Sequence, residues 1–153
     1  MALFHNFPLM AALLSIVLAQ IVKVPIKLIA TRSWDVGLGF STGGMPSSHS
    51  AAVVSLATAI GIVEGVTSSA FAIAVIVSAI TMYDAMGIRR HAGMHASLIN
   101  RIARTIPMLH HDAVTKKPRE ELKELLGHRP IEVLAGAVFG AAVSVVYYWI
   151  VYG

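Results

Sequence analysis

The chain has 153 residues, of which 56% are hydrophobic and 13% charged, about half the charged share of an ordinary soluble domain. With a mean hydropathy of +0.73, it has too little polar cover for a conventional soluble enzyme and too much apolar content for a disordered chain. It contains no cysteine, which excludes disulfides, thiolate metal sites and cysteine nucleophiles.

Apart from histidine, residues 1–22, 36–63, 65–83 and 133–153 carry no charge. Each stretch is close to the roughly 20 apolar residues a helix needs to cross a bilayer. The pattern predicts an all-α integral membrane helical bundle, one domain over 1–153, with four spans near 8–31, 47–64, 67–88 and 130–152. The first run lacks an early Lys or Arg and an A-x-A-like site, so it reads as a span and not as a removable signal peptide. In it Gln20, Lys23 and Lys27 form one helical stripe, and Pro25 marks a kink. The second span has a short apolar part, Ala51–Val63, which points to tilt or to shielding by protein. Between spans three and four lies a polar insertion. Within it His91–Thr105 reads as an amphipathic helix with Leu98, Ile99 and Ile102 on one side, and Lys116–Leu126 as a surface helix. On the last span Gly136-x3-Gly140 is a small-residue face, suited to packing inside the bundle or to a homodimer. Tyr147, Tyr148, Trp149 and Tyr152 read as an interfacial aromatic belt.

With four spans, both termini and the 64–69 turn fall on one side, and the 23–50 and 89–129 connections fall on the other. All 12 basic residues lie in the second group, so the positive-inside rule places it in the cytoplasm and the protein in the cell membrane.

The residues that could do chemistry collect on that same side. Lys23 above Gln20 reads as a cavity-facing pair, and Lys27, nearer the helix end, as snorkelling or anion-binding. The run Gly43-Gly44-Met45-Pro46-Ser47-Ser48-His49-Ser50 leads into an apolar helix. Its glycines admit close backbone approach, and the Ser47 and Ser48 amides at a helix N-terminus suit an anion. His49 adds a proton donor in the first turn. The third span ends in Asp84, followed by Arg89 and Arg90, which suit charge control and phosphate binding. His128 and Glu132 are four apart at the start of the last span, where a carboxylate can orient an imidazole for nucleophilic attack. Two histidines, several cations and a helix N-terminus together suit phosphoryl transfer through a phosphohistidine.

Three segments carry a specific resemblance. Gly43–Ala51, Asp84–Gly93 and Gly127-His128-Arg129-Pro130-Ile131-Glu132-Val133 resemble the divergent branch of the type-2 phosphatidic acid phosphatases, small membrane proteins related to acid phosphatases and vanadium haloperoxidases. Pro46-Ser47-Ser48-His49 is similar to that superfamily's P-S-G-H motif, with Ser48 for glycine. The S-R-x5-H-x3-D motif is split here, with Arg89 or Arg90 as its arginine and His128 to Glu132 as its H-x3-D, glutamate replacing aspartate.

The resemblance implies a helical core interrupted by the polar insertion, and hydrolysis of a lipid phosphate or diphosphate without metal or cofactor. In that scheme His128 attacks phosphorus, Glu132 orients it, His49 is the acid, and Asp84 controls charge. Lys23, Lys27, Ser47, Ser48, Arg89 and Arg90 would bind the phosphate. Membrane lipids would be the partners, with no nucleic acid. Two rival readings are a non-catalytic phospholipid-binding or carrier protein that keeps the anion site, and a metal-dependent hydrolase using Asp84, His91 and His95.

The topology has a direct test, because any introduced cysteine is the sole thiol. A Lys117→Cys variant is expected to resist an impermeant thiol reagent in intact cells and to react once they are permeabilised. Labelling from outside intact cells would overturn the orientation.

Overall fold

The structure, a computed structural model, describes residues 2–31, 44–106, 121–122 and 127–153. A short 3-10 turn, Ala2–His5, precedes α1 (Phe7–Thr31), α2 (Ser48–Val63), α3 (Ser69–Met86), α4 (Ile88–Thr105) and α5 (Pro130–Tyr152). Among the described residues there is no strand. Three segments, Phe7–Ile26, Ser69–Thr105 and Pro130–Tyr152, are long and apolar enough to cross a membrane, and Ser48–Val63 is a shorter apolar helix. The all-α membrane bundle expected from the sequence is therefore what forms. Most of the expected Lys116–Leu126 helix lies outside the described residues, and Glu121 and Leu122, which are described, are not helical.

Local chemistry sets the helix starts. Asn6 Oδ1 accepts the Leu9 amide at 3.0 Å, and Ser68 Oγ accepts the Phe71 amide at 3.1 Å, each satisfying an orphan donor of the first turn. Ser47 caps α2 in the same way through the Ser50 amide. Between α2 and α3 the chain reverses through Gly65, whose φ of 86° is a left-handed value that glycine adopts without strain.

The packing is inverted relative to a soluble protein. The buried positions are mainly small: Ala11, Ser15 and Ala19 on α1, Ala51, Ser55 and Ala59 on α2, and Ala74 and Ser78 on α3. The large aliphatics, such as Val17 and Ile21 on α1 and Ile73, Ile76 and Ile80 on α3, face outward. Hydrocarbon solvates leucine as well as a protein interior does, so in a bilayer close backbone approach and hydrogen bonds decide which faces meet.

Helix α2 is the hub, packed against α1, α3 and α5. Serines from each neighbour reach its backbone. Ser15 donates to the Ala51 carbonyl at 3.2 Å, Ser78 to Val53 at 2.9 Å, and Ser144 to Ser55 at 2.6 Å. The α2–α5 contact is the tightest. A Cβ on Gly136 would run into the Ser47 carbonyl, and one on Gly140 into the Ala51 carbonyl. The Gly136-x3-Gly140 face is thus used inside the bundle.

At the end of the bundle where the chain termini meet, Phe7 stacks on Tyr147 with centroids 5.3 Å apart and meets the edges of Tyr148 and Tyr152, each at 5.7 Å. All three tyrosines pack on Phe7 in the first turn of α1, while Tyr152 and Trp149, 58% and 71% exposed, also face outward.

The α2–α5 contact predicts a sharp size limit at position 140. Gly140→Ala should cost about 1–3 kcal/mol by overpacking, read as a lowered thermal midpoint in detergent micelles. Val138→Ala, on the exposed face two residues away, should change it far less.

Candidate functional site

Opposite the aromatic end, the last turns of α1, the start of α2, the end of α3 and the start of α5 meet. Two backbone bonds join them across the sequence. The Ser47 amide donates to the Glu132 carbonyl, and the His128 amide to the Ala85 carbonyl, both at 3.0 Å.

The start of α5 explains how His128 is held. Gly127 turns the chain at a φ of 79°, and Pro130 takes the first helical position, where its missing N–H costs nothing. One turn on, Glu132 Oε2 accepts the Arg129 amide at 3.1 Å and pairs with His128 Nδ1 at 3.0 Å. A carboxylate on Nδ1 fixes the proton there and leaves Nε2 with the lone pair. The His128 side chain is 4% exposed and Glu132 19%, so the pair is shielded from bulk water and its geometry is restrained on three sides.

Lys23 enters this end from α1 and is 1% exposed. The Glu132 carboxylate is the opposite charge whose field reaches it. A buried ammonium is tolerated only near such a partner. One turn earlier on the same stripe, Gln20 lines a cleft of about 220 Å³ between α1, α2 and α3, together with Ser48, His49 and Thr81. Its Oε1 is buried with no hydrogen-bond partner among the described residues.

Of the residues singled out in the sequence, Lys23, Ser47, Glu132 and His128 come together. Ser47 is fully buried, but its role differs from the one expected. Its amide is committed to Glu132 and its hydroxyl accepts from Ser50. Of the two amides expected to face an anion, only that of Ser48 is left by these bonds. His49 is exposed and lines the Gln20 cleft, to which neither His128 nor Glu132 contributes. Asp84 is half-buried beside the Ala85 carbonyl that holds His128, and Arg90 is exposed on α4. The side chains of Lys27 and Arg89 lie outside the described residues. Asp84, His91 and His95 are not assembled: among the described residues no group of three histidines or carboxylates is placed to hold a metal.

Sequence reasoning missed the two backbone bonds. Every residue has an amide and a carbonyl, so no residue type signals that Ala85 anchors His128 or that Ser47 anchors Glu132.

The network predicts an asymmetry between Glu132 and Lys23. Removing one partner of a buried ionic group leaves an uncompensated charge and costs about 3–5 kcal/mol. Glu132→Ala should show a loss of that size in thermal unfolding in micelles, because it strips Lys23, His128 and the Arg129 amide at once. Lys23→Met should lose clearly less, since Glu132 keeps its other two partners.

Three comparisons with known proteins bear on this arrangement. The divergent PAP2 family model matches residues 4–143. The uncharacterized membrane protein YuiD of Bacillus subtilis (strain 168) is 46% identical over 156 residues, covering 95% of this chain and 96% of that protein. No solved structure matches. A membrane bundle that carries His128 and Glu132 at one end, matched over almost its whole length, belongs to the divergent PAP2 family.

Proposed function

We propose that the protein is a membrane phosphatase that hydrolyses a lipid phosphate or diphosphate at the cytoplasmic leaflet through a phosphohistidine. The observation that carries this reading is the buried His128–Glu132 pair beside the buried Lys23. Holding an anion needs positive charge and amides, but it does not need an imidazole aimed by a carboxylate. That feature favours covalent chemistry over simple lipid binding.

In this scheme the Nε2 lone pair of His128 attacks phosphorus in line, and the N–P bond forms as the P–O bond to the lipid breaks. His49 gives its proton to the departing oxygen. Water then attacks phosphorus, its proton passes to His49, and the N–P bond breaks to release inorganic phosphate. Glu132 stabilises the positive charge that develops on His128. Lys23, the Ser48 amide and the arginines Arg89 and Arg90 stabilise the non-bridging oxygens, with Lys27 at the rim and Asp84 controlling local charge. Fixed charges of this kind commonly supply the largest share of rate enhancement.

A lipid is favoured over a soluble ester by what lies beside Lys23. Its neighbour Val22 lines a wholly apolar groove of about 390 Å³ between α1 and α5, with Leu14, Leu18, Phe139 and Val143. A chain seated there extends from the charged end into the apolar layer.

The test is phosphate release by purified protein from phosphatidylglycerol phosphate, phosphatidate and polyprenyl diphosphate in mixed micelles. At least one should turn over, and vanadate should compete with it. His128→Ala should abolish turnover and any phosphoenzyme. His49→Ala should slow alkyl phosphates by about 10²-fold or more and slow a substrate with a good leaving group much less. Near-normal activity of His128→Ala, or a phosphoenzyme formed on His49, would overturn the assignment.

A further inference from the structure

Helix α4 lies outside the core, and beyond its first turn, which carries Arg89 and Arg90, it lies outside the site as well. Among the described helices it packs only on α3, which it follows directly across Gly87. One side of α4 is covered by its own chain. Gly93, Ala96 and Asn100 are buried there. The Asn100 amide brackets the Leu122 backbone, donating to its carbonyl at 2.9 Å and accepting from its N–H at 3.0 Å. Beside it Arg104 forms a two-pronged bond with Glu121 at 3.0 and 2.8 Å.

The opposite side is apolar and exposed. Ile88, Met94, Leu98, Ile99, Ile102 and Ile106 are each at least two-fifths exposed. At 100° per residue they fall within an arc of about 140°, and His91 and His95 stand in the same stripe. Arg90 and Arg101, both exposed, project from one edge of it. The chain's own segment occupies the other face, so nothing described in the protein covers this stripe.

Two observations identify what does. The spanning candidate Ser69–Thr105 covers both helices; its apolar part is α3, 18 residues from Ser69 to Met86, and only Gly87 separates it from α4, so α4 begins at the depth where a span leaves the bilayer. An apolar stripe edged by arginines matches the boundary between acyl chains and anionic headgroups, the pattern of a helix lying in the interface plane. We propose that α4 lies in the membrane surface on the His128 side, its stripe at Leu98 and Ile102 sunk to the acyl boundary and Arg101 paired with an anionic lipid phosphate. This docking surface is independent of turnover and goes beyond the phosphatase reading.

Nitroxide labels on single cysteines of the full-length protein test it, in vesicles of phosphatidylcholine with or without phosphatidylglycerol. Leu98→Cys and Ile102→Cys lie on exposed positions, so the fold should tolerate them. Their labels should collide with oxygen in preference to a water-soluble nickel chelate, and Ser97→Cys, on the far side, should show the reverse. Phosphatidylglycerol should sink the first two labels deeper, and the added substitution Arg101→Gln should remove that dependence. Labels at 98 and 102 as open to nickel as position 97 would show the stripe in water and overturn the proposal. Labels shielded from both reagents would show a protein cover, such as a second copy, and overturn it equally. Depth unaffected by phosphatidylglycerol would overturn the arginine–phosphate pairing.

Discussion

Everything at the His128 end depends on how closely α2 and α5 approach. Gly136 rests against the Ser47 carbonyl and Gly140 against that of Ala51, with the Ser55–Ser144 hydroxyl pair at 2.8 Å one turn further along. The small-residue line sets the register of α5 on α2. One turn before Gly136 stands Glu132, and this register brings its carbonyl to the Ser47 amide. A bulkier interface would move α5 outward, and Glu132 and His128 would leave Lys23 with it. The geometry of the site is thus a product of backbone proximity, which in lipid is gained by leaving side chains out.

Glu132 then works in several directions at once. Its backbone carbonyl takes the Ser47 amide, its carboxylate takes the Arg129 amide and His128 Nδ1, and its charge reaches Lys23. Such a shared acceptor keeps three helices in register and leaves few polar groups unsatisfied at a depth where water is scarce. The same carboxylate that stabilises the fold is the one positioned to support charge on the imidazole. Structural and chemical demands therefore fall on one side chain.

Much of this was legible in the sequence, because a bilayer imposes simple rules. Uncharged stretches of spanning length gave the helices to within a few residues, and the four-residue interval from His128 to Glu132 gave the pair. Gly136 and Gly140 announced a close contact without naming its partner, since small residues suit a neighbour in the same chain or in another. For the tyrosines of α5, composition places aromatics at an interface but cannot show that all three also pack on Phe7. His49 shows the other limit. The motif supplies the residue, whereas its angular position on α2 decides which cleft it lines, here the one that Gln20 shares. Rotation about a helix axis is set by tertiary packing, and a local motif does not encode it.

The clasp of Phe7 with Tyr147, Tyr148 and Tyr152 joins the first helix to the last, so the bundle closes only when α5 is present. Until α5 has been synthesised, α2 keeps an open flank, with the Ser55 backbone and the Ala51 surface unmatched, and Lys23 has no carboxylate from Glu132. Long-range contacts of this kind form only once the intervening chain is present. The imidazole, its carboxylate and the helix that closes the bundle arrive together on one segment. A nascent chain lacking α5 therefore has no His128–Glu132 pair, and Lys23 meets this carboxylate only in the step that completes the membrane-embedded structure.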